Sequence, residues 1–323
     1  MNKKFFFGLS VGAIFLYLTL RQIDFSSCWK YMQQANVYYI VVALLIYVLA
    51  FIIRGIRWKY LLAPVKNVPF IRLVYLLVIG FFMNNLLPLR LGELVRANVA
   101  GQKLSITKSG ALATIVVERL MDGLTYIFLF LITIMFLPFP EWAKKSMYFG
   151  SALFIGGVIF LFFLARHQEE AVKLVNKIPV HSKFITTLET LVANFIKGLT
   201  IFKHNRLMVI VLLLSVCVWT VEGNVFYFFS KAFGLNLNLF QCFFCMIIIG
   251  MGAILPPAPG YVGTVEFLGV TALTFMGVNK NQAFGMIITL HLCQFTAIII
   301  MGITSLIKEK VSFQELVQVS KQQ

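Results

Sequence analysis

The sequence predicts an all-α, multi-pass membrane protein. Of its 323 residues, 60% are hydrophobic, only 12% are charged and 33 are phenylalanines, and the mean hydropathy is +0.88. A water-soluble domain of this length could not bury so much apolar surface, so the solvent must be lipid. Apolar segments recur along the chain with short basic loops between them, as expected of helices that cross a bilayer.

The charge balance supports the same class. The formal net charge is +16, from 28 Lys and Arg against 12 Asp and Glu. The basic residues lie in short loops rather than in a soluble module with interleaved aromatic residues, so we expect anionic lipid rather than nucleic acid as their partner. Of the five cysteines, Cys242 and Cys245 resemble a CxxC pair, but they lie in an apolar segment with no second pair nearby and are interpreted as packing residues; neither a metal nor a cofactor is expected.

About six full transmembrane helices are predicted, at residues 5–20, 37–56, 111–136, 147–165, 207–229 and 283–307. Lys3 and Lys4 precede the first and Lys308 and Lys310 follow the last, which predicts a cell-membrane protein with both termini in the cytoplasm. The basic run that starts at Arg54 and Arg57 assigns residues 54–72 to a cytoplasmic loop. Residues 21–36 are mixed polar.

Two further apolar segments are interrupted. Residues 73–87 stop at Pro88, and a full crossing there would place the following basic loop outside, against the positive-inside rule. The apolar run at residues 240–276 is interrupted at residues 256–266, which carry three prolines and two glycines that break a helix and let backbones approach closely. We expect two re-entrant helical hairpins, the first entering from the cytoplasm and the second from outside, and irregular backbone at that depth implies a wet cavity.

The order of elements repeats. Residues 37–137 and 207–307 each read as a span, a hairpin and a span of opposite orientation, which predicts an inverted repeat within a single membrane domain, residues 1–323. Between them, residues 166–206 are basic and amphipathic and are expected to lie on the cytoplasmic membrane surface. Glu118 follows Glu93 by 25 residues and His291 follows Glu266 by 25, which supports this pairing.

Three motifs carry a resemblance: residues 84–96 (NNLLPLRLGELVR), Glu118-Arg119 with Asp122, and residues 256–266 (PPAPGYVGTVE). In this order they resemble the flippase-like membrane domain of the lysylphosphatidylglycerol synthases, over about residues 5–310. The resemblance implies movement of a lipid or lipid-linked headgroup between leaflets. The chain ends 13 residues after Lys310, without the soluble aminoacyltransferase domain, so phosphatidylglycerol lysyltransferase activity is not expected.

Candidate substrate-binding residues come from these motifs, because guanidinium groups suit a phosphate and broken helices expose backbone groups. They are Asn84, Asn85, Arg90, Glu93, Arg96, Arg119, Pro257, Gly260, Tyr261, Gly263 and Glu266. Four titratable residues within predicted membrane spans are candidates for proton coupling: Glu118, Asp122, Glu222 and His291.

Structural interpretations stand beside these. Arg119 could form a buried ion pair with Glu93 or Glu266, Arg90 and Arg96 could form a solvated cytoplasmic rim, and Glu222 could find a local partner. At the level of function, a lipid flippase moving a phospholipid or polyprenyl-phosphate type of cargo leads. The alternatives are an intramembrane lipid-modifying enzyme using Glu118, Asp122 and His291, and a membrane partner of a separately encoded synthase or glycosyltransferase. A homodimer is also open.

Overall fold

In a computed structural model the chain folds into a helical bundle, described for residues 3–87, 91–137, 141–167, 204–252, 258–313 and 315–316. No strand occurs within these ranges. Their eleven α-helices are α1 (Lys3–Leu20), α2 (Phe25–Gln34), α3 (Val37–Leu62), α4 (Phe70–Leu86), α5 (Gly92–Leu104), α6 (Lys108–Phe136), α7 (Glu141–Arg166), α8 (Asn205–Ala232), α9 (Leu239–Met251), α10 (Thr264–Phe275) and α11 (Lys280–Glu309). A 3₁₀ turn, Pro259–Tyr261, precedes α10.

Polar side chains cap several of these helices. Asp24 begins α2, in the mixed polar stretch where no element is predicted, and accepts hydrogen bonds from Ser27 and Ser26. These bonds favour its ionised form and lower the pKa of Asp24 to about 2. Asn238 begins α9 through a reciprocal capping box with Gln241. Local capping thus fixes where these helices begin at the ends of the bundle.

Three of the described helices, α3, α8 and α11, are long and apolar enough to cross a membrane. The all-helical class is confirmed, whereas the number of full crossings stays a prediction. The assignment of Arg54 and Arg57 to a cytoplasmic loop is wrong, because α3 continues to Leu62 and both side chains are buried in the bundle. The helix-breaking residue that follows is Pro64.

The bundle has two distinct ends. At one, the Asp24 amide donates to Asn281 at 3.0 Å and Gln282 donates to the Phe233 carbonyl at 2.8 Å, which brings α2, α8 and α11 together. At the other, Lys103 donates to the Lys310 carbonyl at 3.1 Å. We call these the α2 end and the Lys310 end. Both α1 and α11 run between them, so the described residues at the start of α1 and the end of α11 lie on the Lys310 side.

Two helical hairpins start from opposite ends. The first hairpin, α4 and α5, begins where Arg72 pairs with Glu309 at 3.1 Å, near the Lys310 end. The second hairpin, α9 and α10, begins at the α2 end, where the rings of Phe136 and Phe240 stack 4.0 Å apart. Their tips meet inside the bundle, since a β-carbon placed on Gly260 would lie 3.5 Å from the Asn85 carbonyl oxygen.

The contacts of the two halves correspond. The long helices α3 and α8 pack antiparallel, with Arg54 beside Glu222 and the Asn36 amide bonded to the Ala232 carbonyl. Each hairpin packs against the last helix of the other half: α4 contacts α11 where Phe82 fills the space beside Gly302, and α9 contacts α6 at Gly250. The region where the tips meet is therefore enclosed by α6 and α11, each of which packs against the hairpin that is more distant in sequence.

Two apolar cores support this arrangement, one around each hairpin. The core of the first hairpin includes Trp58, Leu77 and Val95, and the core of the second includes Phe229 and Cys245. Cys242 is also buried in the second core, which agrees with the interpretation of these cysteines as packing residues. Side-chain packing on both sides therefore holds the polar groups between the cores in place.

The crossing of α4 and α5 requires glycine at position 92. A β-carbon there would lie 2.1 Å from the Gly80 carbonyl oxygen and 2.5 Å from the Asn84 amide nitrogen. We expect Gly92→Ala to force the two helices apart and to destabilise the protein by about 1–3 kcal/mol, measured by thermal unfolding in detergent. Gly156→Ala is the control, because a β-carbon there meets nothing within 4 Å; equal melting temperatures for both variants would contradict this packing.

Candidate functional site

A buried network of charged side chains lies beside the tip of the first hairpin. It contains four arginines and four carboxylates, so their formal charges cancel. We call it the arginine–carboxylate network; its members are Arg54, Arg57, Arg96, Arg119, Glu93, Glu118, Asp122 and Glu222.

Glu118 is the centre of this network. Arg96 donates to both of its oxygens, at 3.2 and 2.9 Å. The Arg57 guanidinium lies 3.2 Å from one oxygen, and Arg119 donates to the same atom. The Glu118 side chain is 0% exposed, and a charge that far from solvent is tolerated only when it is paired and hydrogen-bonded. Three guanidinium groups supply those bonds.

Asp122, one helical turn further along α6, connects the network to α3 and α8. Arg57 donates to it at 2.5 Å, and Trp219 donates through its indole nitrogen at 2.7 Å. Arg119 lies 3.2 Å from its other oxygen. Arg57 also donates to the Ser215 hydroxyl at 2.9 Å. The network therefore ties α3, α5, α6 and α8 together.

Aromatic rings cover the buried guanidinium groups. The Arg96 guanidinium lies 3.7 Å from the centre of the Trp58 ring. Arg54, paired with Glu222 at 2.7 Å, lies 5.3 Å from the Trp219 ring. These distances are within the range of cation–π attraction, which is stronger for desolvated cations.

The outer edge of the network is formed by Arg119 and Glu93. Their side chains are each 25% exposed, and the closest nitrogen–oxygen distance is 3.7 Å, longer than the other pairs. A ligand entering beside the first hairpin therefore meets Arg119 before the more deeply buried Arg96 and Arg57. Arg119 is the guanidinium of this network with the most access from outside it.

A second polar group lies at the tip of the second hairpin. His291 Nδ1 is 2.6 Å from a Glu266 oxygen and His291 Nε2 is 2.9 Å from the Gly260 carbonyl oxygen. The other Glu266 oxygen accepts a hydrogen bond from the Gly263 amide at 2.7 Å. Gly260 and Gly263 have φ of +65° and +84°, a conformation that glycine adopts at little cost. Two side chains thus hold a left-handed loop at two backbone points.

Each polar group joins the second helix of a hairpin to the helix that follows it in the chain. In the first half, α5 meets α6 through Arg96 and Glu118; in the second, α10 meets α11 through Glu266 and His291. The separations along the chain differ, because Arg96 and Glu118 are 22 residues apart whereas Glu266 and His291 are 25 apart. The chemistry differs, because one half carries guanidinium groups and the other a carboxyl–imidazole pair.

Each hairpin also has a buried polar atom for which the described residues provide no hydrogen-bond partner: Asn84 Oδ1 in the last turn of α4 and Thr264 Oγ1 at the start of α10. A buried acceptor or hydroxyl without a partner is costly, which is typical of a position that a water or a ligand satisfies. Both atoms lie near where the hairpins meet.

The structure brings most predicted site residues to these two groups. Glu93, Arg96, Glu118, Arg119, Asp122 and Glu222 belong to the network, Gly260, Gly263, Glu266 and His291 belong to the second tip, Tyr261 lies in its 3₁₀ turn, and Asn84 and Asn85 end α4. Arg90 and Pro257 lie outside the described residues, as does most of the amphipathic segment at 166–206.

Three expectations about partners change. The solvated rim is wrong for Arg96, which is buried and bound to Glu118. The pairing of Arg119 with Glu93 is confirmed at 3.7 Å, whereas Glu266 pairs with His291 instead. Glu222 finds its partner on another helix, Arg54, rather than locally.

Sequence reasoning misses Arg54, Arg57, Trp58 and Trp219. A signal was present for the first three, because Arg57 and Trp58 follow Arg54 by three and four residues on one helix face and no proline interrupts the chain before Pro64. Trp219 gives no such signal, since its partner Asp122 is 97 residues away in sequence.

Among the described residues, no three histidine, cysteine or carboxylate side chains are grouped as metal ligands. A cavity of 510 Å³ opens at the end of α8 and is lined by Asn224, Tyr227 and Lys231, with residues 236–239. It lies at the α2 end, apart from both polar groups.

Comparison with known proteins identifies the family. Residues 5–302 match the family model described as lysylphosphatidylglycerol synthase TM region. The chain belongs to this family. Together with the long apolar helices, this makes it an integral membrane protein.

Several relatives are UPF0104 membrane proteins. The UPF0104 membrane protein MJ1078 of Methanocaldococcus jannaschii is 27% identical over 68% of this chain and 91% of its own length. A UPF0104 membrane protein of Methanothermobacter thermautotrophicus is 20% identical over 85% of this chain and 86% of its own length. UPF0104 membrane protein PH1989 of Pyrococcus horikoshii is 21% identical over 79% of this chain and 82% of its own length. No solved structure gives a significant match.

The network makes a prediction about stability. Arg57 is fully buried and its loss leaves Glu118 and Asp122 with fewer compensating donors. We expect Arg57→Leu to cost about 3–5 kcal/mol, measured by unfolding in mixed detergent micelles. Arg72→Ala, which removes a pair whose arginine is 43% exposed, should cost less than about 1 kcal/mol. Similar losses for the two variants would show that the network contributes no more than a surface pair.

Proposed function

We propose that this protein moves an anionic lipid, or a lipid-linked headgroup, between the two leaflets of the cell membrane. The observation that carries the proposal is the meeting of two hairpins from opposite ends of the bundle, with the Gly260 backbone against the Asn85 carbonyl. Broken helices that meet between two repeats are the arrangement in which many transporters bind their substrate. The family description supports a lipid as the cargo.

The orientation in the membrane follows from the charges at the two ends. Basic side chains are concentrated at the Lys310 end: Lys59, Lys66, Arg72, Lys103, Lys108, Lys308 and Lys310. The positive-inside rule then makes this end cytoplasmic, together with both ends of the chain. In that orientation, α4–α5 is a cytoplasmic re-entrant hairpin and α9–α10 an external one, and the two halves form an inverted repeat.

Arg119 is the group that we assign to the cargo's phosphate. The charges of the network cancel, so each guanidinium already has a carboxylate partner. An incoming phosphate can bind a guanidinium only by replacing one of these carboxylates. Glu93 is the competitor that we assign to this exchange, since its 3.7 Å distance to Arg119 is the longest in the network and both side chains are partly exposed. Binding by exchange of one anion for another allows release as well as capture.

The second tip supplies the other side of the site. Its Gly260–Gly263 loop begins α10, and the first turn of a helix presents amide hydrogens and a partial positive charge to an anion. The cargo's headgroup would then lie between Arg119 and this loop, while its acyl or prenyl chains stay in lipid. Asn84, with a buried oxygen lacking a partner among the described residues, would contact the headgroup's polar hydrogens.

The engagement of the carboxylates favours transport over the enzymatic alternative. Both oxygens of Glu118 accept hydrogen bonds from Arg96, and both oxygens of Asp122 lie against guanidinium groups. Because guanidinium groups only donate, neither carboxyl has a proton to give to a lipid. A general acid or base also needs access to its substrate, which Glu118 at 0% exposure lacks.

The transport proposal predicts the behaviour of reconstituted protein. We expect vesicles containing the wild type to exchange a headgroup-labelled anionic lipid between leaflets faster than empty vesicles. Arg119→Ala should slow this exchange about tenfold or more, because a hydrogen bond to a charged group contributes about 1.5–3 kcal/mol. Glu266→Gln should also slow it, through the second tip. Dithionite quenching of a fluorescent headgroup measures the exchange.

Arg72→Ala is the matched control, since it removes an arginine that pairs with Glu309 away from the tips. Equal rates for wild type, both variants and empty vesicles, across phosphatidylglycerol, cardiolipin and polyprenyl phosphate, would overturn the proposal. Co-purification of a synthase or glycosyltransferase in that situation would favour the partner alternative.

A further inference from the structure

The structure separates the four residues considered for proton coupling. Glu118 and Asp122 accept hydrogen bonds from guanidinium groups on both oxygens, and Glu222 accepts from Arg54 at 2.7 Å. Arginine remains protonated in proteins, so these carboxylates have permanent cationic partners. His291 is the remaining member of the four, and its partner, Glu266, is itself titratable.

The two contacts of the His291 ring require two hydrogens. The Gly260 carbonyl oxygen can only accept, so His291 Nε2, at 2.9 Å, must carry a hydrogen. The 2.6 Å contact between Nδ1 and Glu266 needs one more hydrogen, on either the nitrogen or the oxygen. Neutral histidine beside an ionised glutamate supplies one of these two hydrogens. The observed geometry therefore contains one additional proton, shared by the pair.

We infer that Glu266 and His291 form a binding site for a single proton, and that this proton holds the tip of the second hairpin against α11. With the proton bound, the pair has no net charge and both backbone points of the loop, Gly260 and Gly263, are anchored. The inference stands on these contacts alone; its link to lipid movement rests on the proposed function.

Loss of the proton breaks one of the two His291 contacts. If the remaining hydrogen stays on Nδ1, the lone pair of Nε2 faces the Gly260 carbonyl oxygen. If it stays on Nε2, the lone pair of Nδ1 faces the Glu266 carboxylate. Either arrangement places two acceptors in contact, so the loop or the imidazole must move. The proton leaves from the His291 side of the pair, because that side chain is 13% exposed and Glu266 only 2%.

Few other charges act on this pair. The elements packed against it are α1, the 3₁₀ turn, α4, α9 and the remainder of α11, with α2, α3 and α8 further along α11. Their charged groups pair elsewhere or lie towards the helix ends, as with Arg72 and Glu309, about five turns from His291. The titratable and charged groups on these elements are Lys3, Lys4, Tyr17, Cys28, Lys30, Tyr31, Tyr38, Tyr39, Tyr47, Arg54, Arg57, Lys59, Tyr60, Arg72, Tyr75, Arg206, Cys217, Glu222, Tyr227, Lys231, Cys242, Cys245, Tyr261, Lys280, Cys293, Lys308 and Glu309.

Proton binding and tip position are then linked. The same Gly260 residue contacts His291 through its carbonyl and lies against Asn85 of the first hairpin. We call the tip closed when it is held against α11. If the bound proton favours the closed tip, then by reciprocity the proton binds more tightly when the tip is closed. A group that binds one proton changes its equilibrium about tenfold per pH unit outside its titration range. A pH gradient across the membrane would therefore bias which state of the tip faces which side.

Glu266→Gln is the informative variant. The glutamine amide can donate to His291 Nδ1 while its oxygen accepts from the Gly263 amide, so neutral histidine keeps its hydrogen on Nε2 for Gly260. This variant reproduces the hydrogen-bonding pattern of the protonated pair with no proton to lose. Glu309→Gln on the same helix is the matched control, because its carboxylate pairs with Arg72 instead.

The test measures the distance between the hairpin tips as a function of pH. Nitroxide labels at the exposed positions Leu86 and Val262, in protein whose five native cysteines are replaced, are examined in nanodiscs from pH 5 to 9 by pulsed dipolar spectroscopy. We expect wild type and Glu309→Gln to change from a short to a longer distance as pH rises, with the slope of one proton. Glu266→Gln should keep the short distance throughout.

A pH-independent distance in the wild type, or the same pH-dependent change in Glu266→Gln, would overturn the inference. Nitrogen-15 spectra of labelled histidine, assigned with His291→Gln, provide a second measurement that needs no folding-sensitive change at Glu266. They should show Nε2 of His291 protonated at low pH and one titration step. If lipid exchange fails but the tip still follows pH, the proton site stands and the transport proposal falls.

Discussion

The carboxylate of Glu118 is the interaction on which the rest of this bundle depends. It sits without solvent contact between three guanidinium groups that come from α3, α5 and α6 itself. Each of these charges would be costly alone in a low-dielectric interior, and the cost is offset only while all of them remain together. The helices that carry them are therefore held in one mutual arrangement, and the first hairpin is fixed to the bundle through Arg96.

The two hairpins have unequal sets of polar contacts with the rest of the bundle. The first is attached by a charged network whose members also bind Trp58, Trp219 and Ser215. The second is attached by one carboxyl–imidazole pair and by the backbone of a glycine loop. The two hairpins therefore differ in the number of charged groups that attach them to the bundle. This inequality fits a device in which one wall of a site stays in place while the other responds.

The architecture was largely accessible from the sequence. Prolines, glycines and the distribution of basic residues predicted where the helices break, and the structure places broken elements there, with Arg119 beside Glu93. The limits came from the same charge rule. The rule considers only the position of a basic residue along the chain. It therefore cannot distinguish Arg54 and Arg57 from loop residues when their acidic partners are distant in sequence. Glu222 is 168 residues from Arg54, and only the fold brings them together.

The first helix has a role beyond anchoring the chain. Gly12 of α1 lies against the second tip so closely that a β-carbon on Gly263 would be 2.0 Å from its carbonyl oxygen, and Phe15 stacks on Phe267 at 4.7 Å. The tip is thus wedged between α1 on one flank and α4 on the other. Any movement of the tip must separate it from one of these two helices. The contact with α1 lies next to Val262, which is exposed on the outer surface. The N-terminal helix therefore forms one side of any lateral opening to the bilayer. The distance between α1 and the second tip sets how wide that opening can become.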